Sequence, residues 1–178
     1  MKNNSSKWLI GLAGGLAACT MVSAARRRRF DFKDKVVVIT GGSRGLGLVL
    51  ARCFAAEGAR VAICARDEAE LARAEADLRE RGAQVFAGRC DVRNQNDIHK
   101  FAAEIRRRFG SADVLVNNAG IIQVGPLESQ KQDDFAAALA VHFWGPLFMM
   151  QEFIPEMRAR GGGRIVNISS IGGKIAVA

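Results

Sequence analysis

The stretch TGGSRGLG (40–47) contains four glycines, which directly follow the apolar run VVVIT (36–40). A glycine turn between a strand and the start of a helix leaves backbone N–H groups accessible, and the helix dipole favours an anion there. The spacing is neither G-x-G-x-x-G nor that of a P-loop. The stretch therefore predicts a phosphate-binding turn, with a tight turn that binds no ligand as the alternative.

The elements around this turn alternate between short apolar runs and longer amphipathic segments, which predicts an α/β order with a parallel sheet. Strands are predicted over 36–40, 60–65, 84–89, 113–118 and 163–169, and helices near 46–57, 67–81, 95–109 and 131–160. The strands are apolar throughout, as expected when helices cover both faces of the sheet. We therefore expect a three-layered, doubly wound sheet.

The first predicted helix carries an apolar stripe with helical spacing, which predicts that this stripe faces the core. Its members are Leu46, Val49, Leu50, Cys53 and Phe54. We therefore expect these five residues to form the core stripe of the helix.

Three motifs occur in order along the chain: TGGSRGLG matches T-G-x-x-x-G-x-G, NNAG (117–120) follows the fourth predicted strand, and GRIVNISS (163–170) ends the fifth. Together they resemble the motifs of the short-chain dehydrogenase/reductase family. The resemblance covers residues 33–178. It implies a Rossmann-type domain that binds a nicotinamide dinucleotide, and an oxidoreductase that transfers hydride between this cofactor and a carbonyl or alcohol.

The resemblance also implies a set of cofactor-binding residues. They are Gly41, Ser43, Arg44, Gly45, Leu46, Gly47, Asp91, Val92, Asn118, Ala119 and Gly120. Within this set the glycines of the turn would line the pyrophosphate, and Asp91 with Val92 would contact the adenine. From the residues alone, Asp91 can also be a strand-end cap and NNAG a turn.

The end of the second predicted strand discriminates between the two nicotinamide cofactors. A carboxylate there would accept hydrogen bonds from the ribose 2′-OH of NAD(H), but this chain has Ala65 followed by Arg66. Arg66 can form a charge-assisted bidentate pair with a 2′-phosphate, and Arg44 can approach the same group from the other side. The sequence therefore predicts NADP(H), unless both arginines are solvated surface charges.

Catalysis in the family uses a Tyr assisted by a Lys four residues later, together with a Ser and an Asn. Ser170 matches the Ser that orients the substrate, and His142 stands where the family has the Asn. A His could replace the Asn at a helix kink and hold a water of the proton relay. Alternatively, His142 is a buried helix residue beside Gly145, which allows the kink.

The general acid is missing from this sequence, which contains no Tyr and runs only to Ala178. We therefore expect an N-terminal portion of a longer enzyme that lacks the last strands, and we expect the chain as given to be inactive. The alternative is a non-catalytic dinucleotide-binding module tethered to a membrane.

The N-terminal segment Trp8–Ala25 has no charged residue and is followed by Arg26–Arg29. As a helix it would be about 27 Å long, close to the thickness of the hydrocarbon layer. Since the more basic flank stays in the cytoplasm, we predict a membrane anchor within residues 1–30 and a cytoplasmic Rossmann domain over 31–178. A cleaved signal, lipidation at Cys19 and an untethered cytoplasmic protein are the alternatives.

Composition excludes other classes of function. The net charge is +8, but residues 1–35 carry eight Lys or Arg against two Asp, so the folded part has no charge excess that indicates nucleic-acid binding. The four cysteines have no C-x-x-C spacing, so we predict neither a metal site nor disulfides. The resemblance implies a homo-oligomer, and the apolar segment 121–130 would suit a lipid-like or aromatic carbonyl substrate.

Overall fold

The computed structural model describes residues 30–170. The chain divides into two units, Met1–Asp31 and Phe32–Ala178. The predicted anchor over Trp8–Ala25 lies outside the described residues, as does the hydrophobic N-terminal helix expected there. Within 30–170, every helix is too short or too polar to cross a bilayer.

In the part of the chain that the structure describes, five parallel strands form one sheet in the order β3-β2-β1-β4-β5. Their bounds are β1 Val36–Thr40, β2 Arg60–Ala65, β3 Val85–Arg89, β4 Val114–Asn117 and β5 Arg164–Asn167. The chain runs outward from β1 to β3 and then returns to place β4 on the other side of β1. This reversal leaves a crevice at the carboxyl ends of β1 and β4, where sheets of this kind bind their ligands.

Within residues 30–170, five α-helices connect and cover the strands. They are α1 Gly45–Ala56, α2 Glu68–Glu80, α3 Gln95–Phe109, α4 Gln132–Leu139 and α5 Gly145–Ala159. Asp67 caps α2 by accepting from Glu70 N at 2.8 Å, and Asn94 caps α3 by accepting from Asn96 N at 2.9 Å. The segment predicted as one helix over 131–160 is interrupted by a π-helical turn, Ala140–Trp144.

The core is built on both faces of the central strands. Val36 and Val38 of β1 belong to a buried cluster with residues of α3 and α5, including Ile105 and Phe153. Since side chains alternate along a strand, Val37 and Ile39 face the opposite side, where α1 and α2 lie. The predicted doubly wound parallel sheet is confirmed, although both faces of β5 are exposed within the described residues.

The apolar stripe predicted for α1 is wrong in part. Leu46 and Val49 are 52% and 49% exposed, whereas the buried residues of the helix are Gly47 and Ala51. A Cβ at Gly47 would lie 2.1 Å from the carbonyl oxygen of Gly41. The helix approaches the glycine turn so closely that only small side chains fit between them, and this contact, rather than the larger apolar residues, sets which side faces inward.

Candidate functional site

The ends of β1 and β4 are joined by hydrogen bonds at the crevice. The Thr40 hydroxyl accepts from the backbone N–H groups of Asn118 and Ala119, each at 3.0 Å. The Asn118 side-chain amide donates to the carbonyls of Thr40 at 2.9 Å and Gly41 at 3.1 Å. Two loops that are 77 residues apart in sequence are therefore held as one surface.

The glycines of the turn have different structural roles. Gly41 has a φ of +65°, and a Cβ there would lie 2.9 Å from the Ala119 Cα, so it allows the two loops to pack together. Gly47 likewise allows α1 to pack closely against the glycine turn. Gly45 has a φ of +55°, and a Cβ there would meet no atom within 4 Å. Open space therefore lies beside the first residue of α1.

The N-terminus of α1 differs from those of α2 and α3 in having no side-chain cap. Arg44 precedes the helix with extended backbone, its side chain makes no capping bond, and the first turn contains no acidic residue. The first N–H groups of a helix need an acceptor, and the helix dipole favours an anionic one. A helix start that is uncapped and open at Gly45 fits the pyrophosphate of a dinucleotide.

The adenine end of the predicted site lies at the carboxyl ends of β2 and β3. Arg66 is exposed and makes no salt bridge within residues 30–170. Asp91 is held by Arg93, whose Nε lies 2.9 Å and 3.0 Å from its two carboxylate oxygens. Asp91 also accepts from the Arg93 backbone N–H at 3.0 Å, so it does cap the turn after β3.

The charge of Asp91 is stabilised by its neighbours. Hydrogen bonds from the Arg93 guanidinium are the main cause that lowers the pKa of this carboxyl below its ordinary value, and the charge of Arg66 acts in the same direction.

Val92 is buried against the start of α5, where a Cβ at Gly145 would lie 2.9 Å from Val92 Cγ2. The backbone at 91–92 is therefore fixed in place.

Glu70 is a site residue that the sequence did not reveal. The Ser43 hydroxyl donates to Glu70 Oε2 at 3.0 Å, and Arg44 Nη1 lies 3.5 Å from Glu70 Oε1. Both Ser43 and Arg44 were predicted to bind the cofactor. The contact joins helix α2 to the glycine turn, and its two residues are 27 positions apart in the sequence. Helix and strand patterns relate residues only a few positions apart, so they do not predict this contact.

His142 lies in the π-helical turn and contacts the loop after β4. Its Nε2 is 2.8 Å from the Ile121 carbonyl oxygen and 3.3 Å from the Ile121 nitrogen. Because one ring nitrogen cannot donate and accept at once, we assign the shorter contact as a bond donated by Nε2. The side chain is exposed, so the alternative of a buried helix residue is wrong.

Ser170 follows β5 at the carboxyl end of the sheet, the same edge that carries the glycine turn and NNAG. β5 is held to β4 at this edge by a bond from the Asn117 side-chain amide to Asn167 Oδ1, at 2.8 Å. Asn117 Oδ1 is buried and has no partner among the described residues. The fold thus brings the predicted catalytic and cofactor-binding residues to one edge.

The described cysteines are Cys53, Cys64 and Cys90, and all three are free thiols. The pKa of Cys64 is raised, first by a hydrogen bond shared with Cys90 and then by burial, which makes it a poor nucleophile. Within residues 30–170 there is no group of His, Cys, Asp and Glu that could hold a metal ion.

Comparisons with known proteins agree with this geometry. A family model for short chain dehydrogenases matches residues 35–178. A relative from Danio rerio, dehydrogenase/reductase SDR family member 7B, is 37% identical over 169 residues, which are 92% of this chain and 55% of the relative. The chain spans about half the length of the curated relatives it matches.

Solved structures match as well. A metagenomic short-chain oxidoreductase in complex with NADP is 37% identical with a TM-score of 0.77, over 84% of this chain and 68% of that one. A short chain dehydrogenase/reductase from Burkholderia phymatum in complex with NAD is 32% identical with a TM-score of 0.79, over 83% of this chain and 53% of that one. The chain therefore belongs to the short-chain dehydrogenase/reductase family.

Proposed function

We propose that this chain binds NADP(H) in the crevice between β1 and β4, and that the complete protein transfers hydride between the nicotinamide and a carbonyl or alcohol. The observation that carries the proposal is the start of α1, which has no side-chain cap and open space at Gly45. Its N–H groups would bind the pyrophosphate. When bound, the nicotinamide would give or accept the hydride.

The preference for NADP(H) rests on Arg66. It stands where a carboxylate would select NAD(H), and within the described residues it makes no salt bridge that would compete with a 2′-phosphate. Membership of the family does not decide the question, because one matching structure is in complex with NADP and another with NAD. The preference therefore follows from the charge at the end of β2.

Ser170 and His142 are proposed to act on the substrate side. Ser170 would donate a hydrogen bond to the substrate oxygen. His142 donates from Nε2 to the Ile121 carbonyl, which leaves Nδ1 of the neutral ring able to accept from a water. The chain contains no Tyr, so residues outside this sequence would supply the proton donor.

The substrate is proposed to be an apolar carbonyl compound or the corresponding alcohol. The loop after β4 exposes three large apolar side chains, Ile122, Val124 and Leu127, which are 90%, 91% and 75% exposed. His142 binds the start of this loop through Ile121, so the loop borders the proposed reaction centre. An apolar substrate would cover these side chains.

The same family membership supports a homo-oligomer of the complete protein. The α4–α5 region exposes four large apolar side chains, which are Phe135, Leu139, Phe143 and Trp144. Burial of such a patch between subunits would be favourable. Light scattering of the complete protein would give a mass above that of one chain.

Titration of the protein with NADPH and NADH tests the proposal, with Gly45→Ala as the decisive variant. The added methyl group would occupy the open space at the start of α1, and we expect NADPH binding to weaken at least tenfold. Gly82→Ala is a matched control, because Gly82 also has a positive φ, of +77°, and no atom within 4 Å of a Cβ. Equal binding by both variants would refute the site.

A non-catalytic dinucleotide-binding module is the second candidate, and His142, which stands where the family has an Asn, favours it. The nucleotide sequence after the codon for Ala178 separates the two candidates. An in-frame Tyr-x-x-x-Lys supports the enzyme, and a stop codon supports the module. The module would bind NADPH as tightly as the enzyme would but reduce no carbonyl compound.

A further inference from the structure

Glu70 reaches from the first turn of α2 to the glycine turn, where it meets two residues of the proposed cofactor site. Its carboxylate accepts from the Ser43 hydroxyl at 3.0 Å and pairs with the Arg44 guanidinium at 3.5 Å. Ser43 is buried, and the side chain of Glu70 is only 25% exposed. The contact is therefore part of the packing between α2 and the turn.

The local sequence would favour a different partner for this carboxylate. Asp67 caps α2 and Glu70 stands three residues later, an arrangement in which the Glu side chain commonly returns to the backbone N–H of the cap residue. Asp67 does accept from Glu70 N at 2.8 Å. Within the described residues, however, the Glu70 carboxylate bonds to the glycine turn instead of completing this capping box.

The donors that hold Glu70 are those that an anionic group of the cofactor would need. A hydroxyl and a guanidinium together form charge-assisted hydrogen bonds to a carboxylate or a phosphate. The Arg44 side chain is 81% exposed, and exposed ion pairs of this kind are weak. A phosphate that binds Arg44 through two parallel bonds can therefore replace the carboxylate.

We propose that Glu70 occupies the donors of the 2′-phosphate site in the free protein and so determines how strongly the chain prefers NADP(H) over NAD(H). The inference rests on the proposed function. Binding of NADP(H) requires Arg44 to exchange the Glu70 carboxylate for the 2′-phosphate, whereas NAD(H) requires no exchange. Arg66, which has no such competitor among residues 30–170, then contributes most of the preference.

The test is Glu70→Gln in the complete protein, with dissociation constants for NADPH and NADH measured by fluorescence in phosphate-free buffer. The amide keeps the size of the side chain and can still accept from Ser43, but it does not pair with Arg44. We expect NADPH to bind about fivefold more tightly, which corresponds to about 1 kcal/mol. NADH binding should change less than twofold.

Two further variants separate this effect from a structural one. Glu75→Gln removes a charge from the same helix, where Glu75 pairs with Arg79 at 2.6 Å, and it should change neither dissociation constant. In an Arg44→Gln background, Glu70→Gln should tighten NADPH binding much less than it does in the wild-type protein. The reason is that Glu70→Gln acts by releasing Arg44 for the 2′-phosphate. Thermal unfolding of each variant checks that the fold is kept.

The outcomes distinguish the inference from the function on which it rests. A wild-type protein that binds NADPH, with a Glu70→Gln variant that binds it equally or more weakly, would overturn the role of Glu70 and leave the proposed function standing. A wild-type protein that binds neither nucleotide would overturn both.

Discussion

At the scale of single residues, the proposed preference for NADP(H) depends on the charges at the ends of β2 and β3. Three arginines near this edge are paired with carboxylates, namely Arg44 with Glu70, Arg89 with Asp97 and Arg93 with Asp91. Arg66 has no such partner within the described residues. An anionic ligand at the end of β2 therefore meets a cation that makes no salt bridge within the described residues, although its charge also acts on Asp91.

Replacement of Arg66 by Asp should reverse the cofactor preference. The change removes a charge-assisted pair with the 2′-phosphate and adds a carboxylate that can accept from a ribose hydroxyl. We expect NADPH to bind at least tenfold more weakly and NADH more tightly, as measured by titration. Arg73→Asp, a change of equal charge at an exposed position of α2, is the control. Unchanged NADPH affinity in Arg66→Asp would contradict the prediction.

The pair of Asp91 and Arg93 predicts a pH dependence of stability. The pKa of Asp91 is lowered in the folded chain, so its contribution is present above the ordinary value of 3.8 and is lost as pH falls through the folded value. We expect Asp91→Asn to reduce the free energy of unfolding by about 1 kcal/mol or less at pH 7, because the pair is partly exposed. Urea unfolding should show this difference shrinking below pH 3.8. A difference that is the same at every pH would contradict the assignment.

The sequence alone predicted many residues of the candidate site, which remain a prediction, but not how these residues contact one another. The glycine turn, NNAG and Arg66 were identified from their types and positions relative to the strands. Glu70 was not, because its role depends on a contact between α2 and a turn 27 residues earlier. Likewise, spacing could not distinguish the glycines that allow close packing from Gly45, which leaves space open.

At the scale of elements, the strands and the first three helices were predicted within a few residues because apolar runs and apolar periodicity mark them, whereas the single helix predicted over 131–160 is divided by a π-helical turn. The inward side of α1 was predicted correctly only in part. Its larger apolar residues gave a helical stripe, but the contact at Gly47 turns Leu46 and Val49 outward. Steric fit at one glycine thus overrides the hydrophobic pattern of a whole helix, and a single sequence does not reveal which glycine has this role.

Gly47→Ala should show how much this close contact contributes. A Cβ would lie 2.1 Å from the Gly41 carbonyl oxygen and 2.6 Å from the Asn118 side-chain nitrogen, so the helix has to move away. We expect the free energy of unfolding, measured with urea, to fall by about 1–3 kcal/mol. NADPH binding should weaken as well, because the first turn of α1 is displaced.

The control for this prediction is Ala51→Gly, one turn later on the same side of α1. Ala51→Gly removes a methyl group from this side of the helix, whereas Gly47→Ala adds one. It should reduce stability by about 1 kcal/mol through helix propensity while leaving the start of α1 in place. An equal loss of NADPH affinity in both variants would show that the contact at Gly47 is not what positions the turn.

At the scale of the whole molecule, the distribution of charge separates the chain into two parts. Of the net charge of +8, +6 belongs to residues 1–35, next to the uncharged segment Trp8–Ala25. The Rossmann domain contains the entire proposed cofactor site. The predicted membrane attachment and the proposed nucleotide binding should therefore be separable.

Deletion of residues 2–30 should move the protein from the membrane fraction to the supernatant without a change in the dissociation constant for NADPH. An apolar anchor resists extraction by high salt, whereas attachment through Arg26–Arg29 alone would be screened and lost. Cys19→Ser distinguishes the spanning helix from lipidation, because only a lipid-anchored protein would be released by this substitution. Cell fractionation at low and high salt measures how the wild-type protein, the deletion variant and Cys19→Ser divide between the membrane fraction and the supernatant. Wild-type protein found in the supernatant at low salt would contradict the anchor, and altered NADPH affinity in the deletion variant would contradict the separation of the two functions.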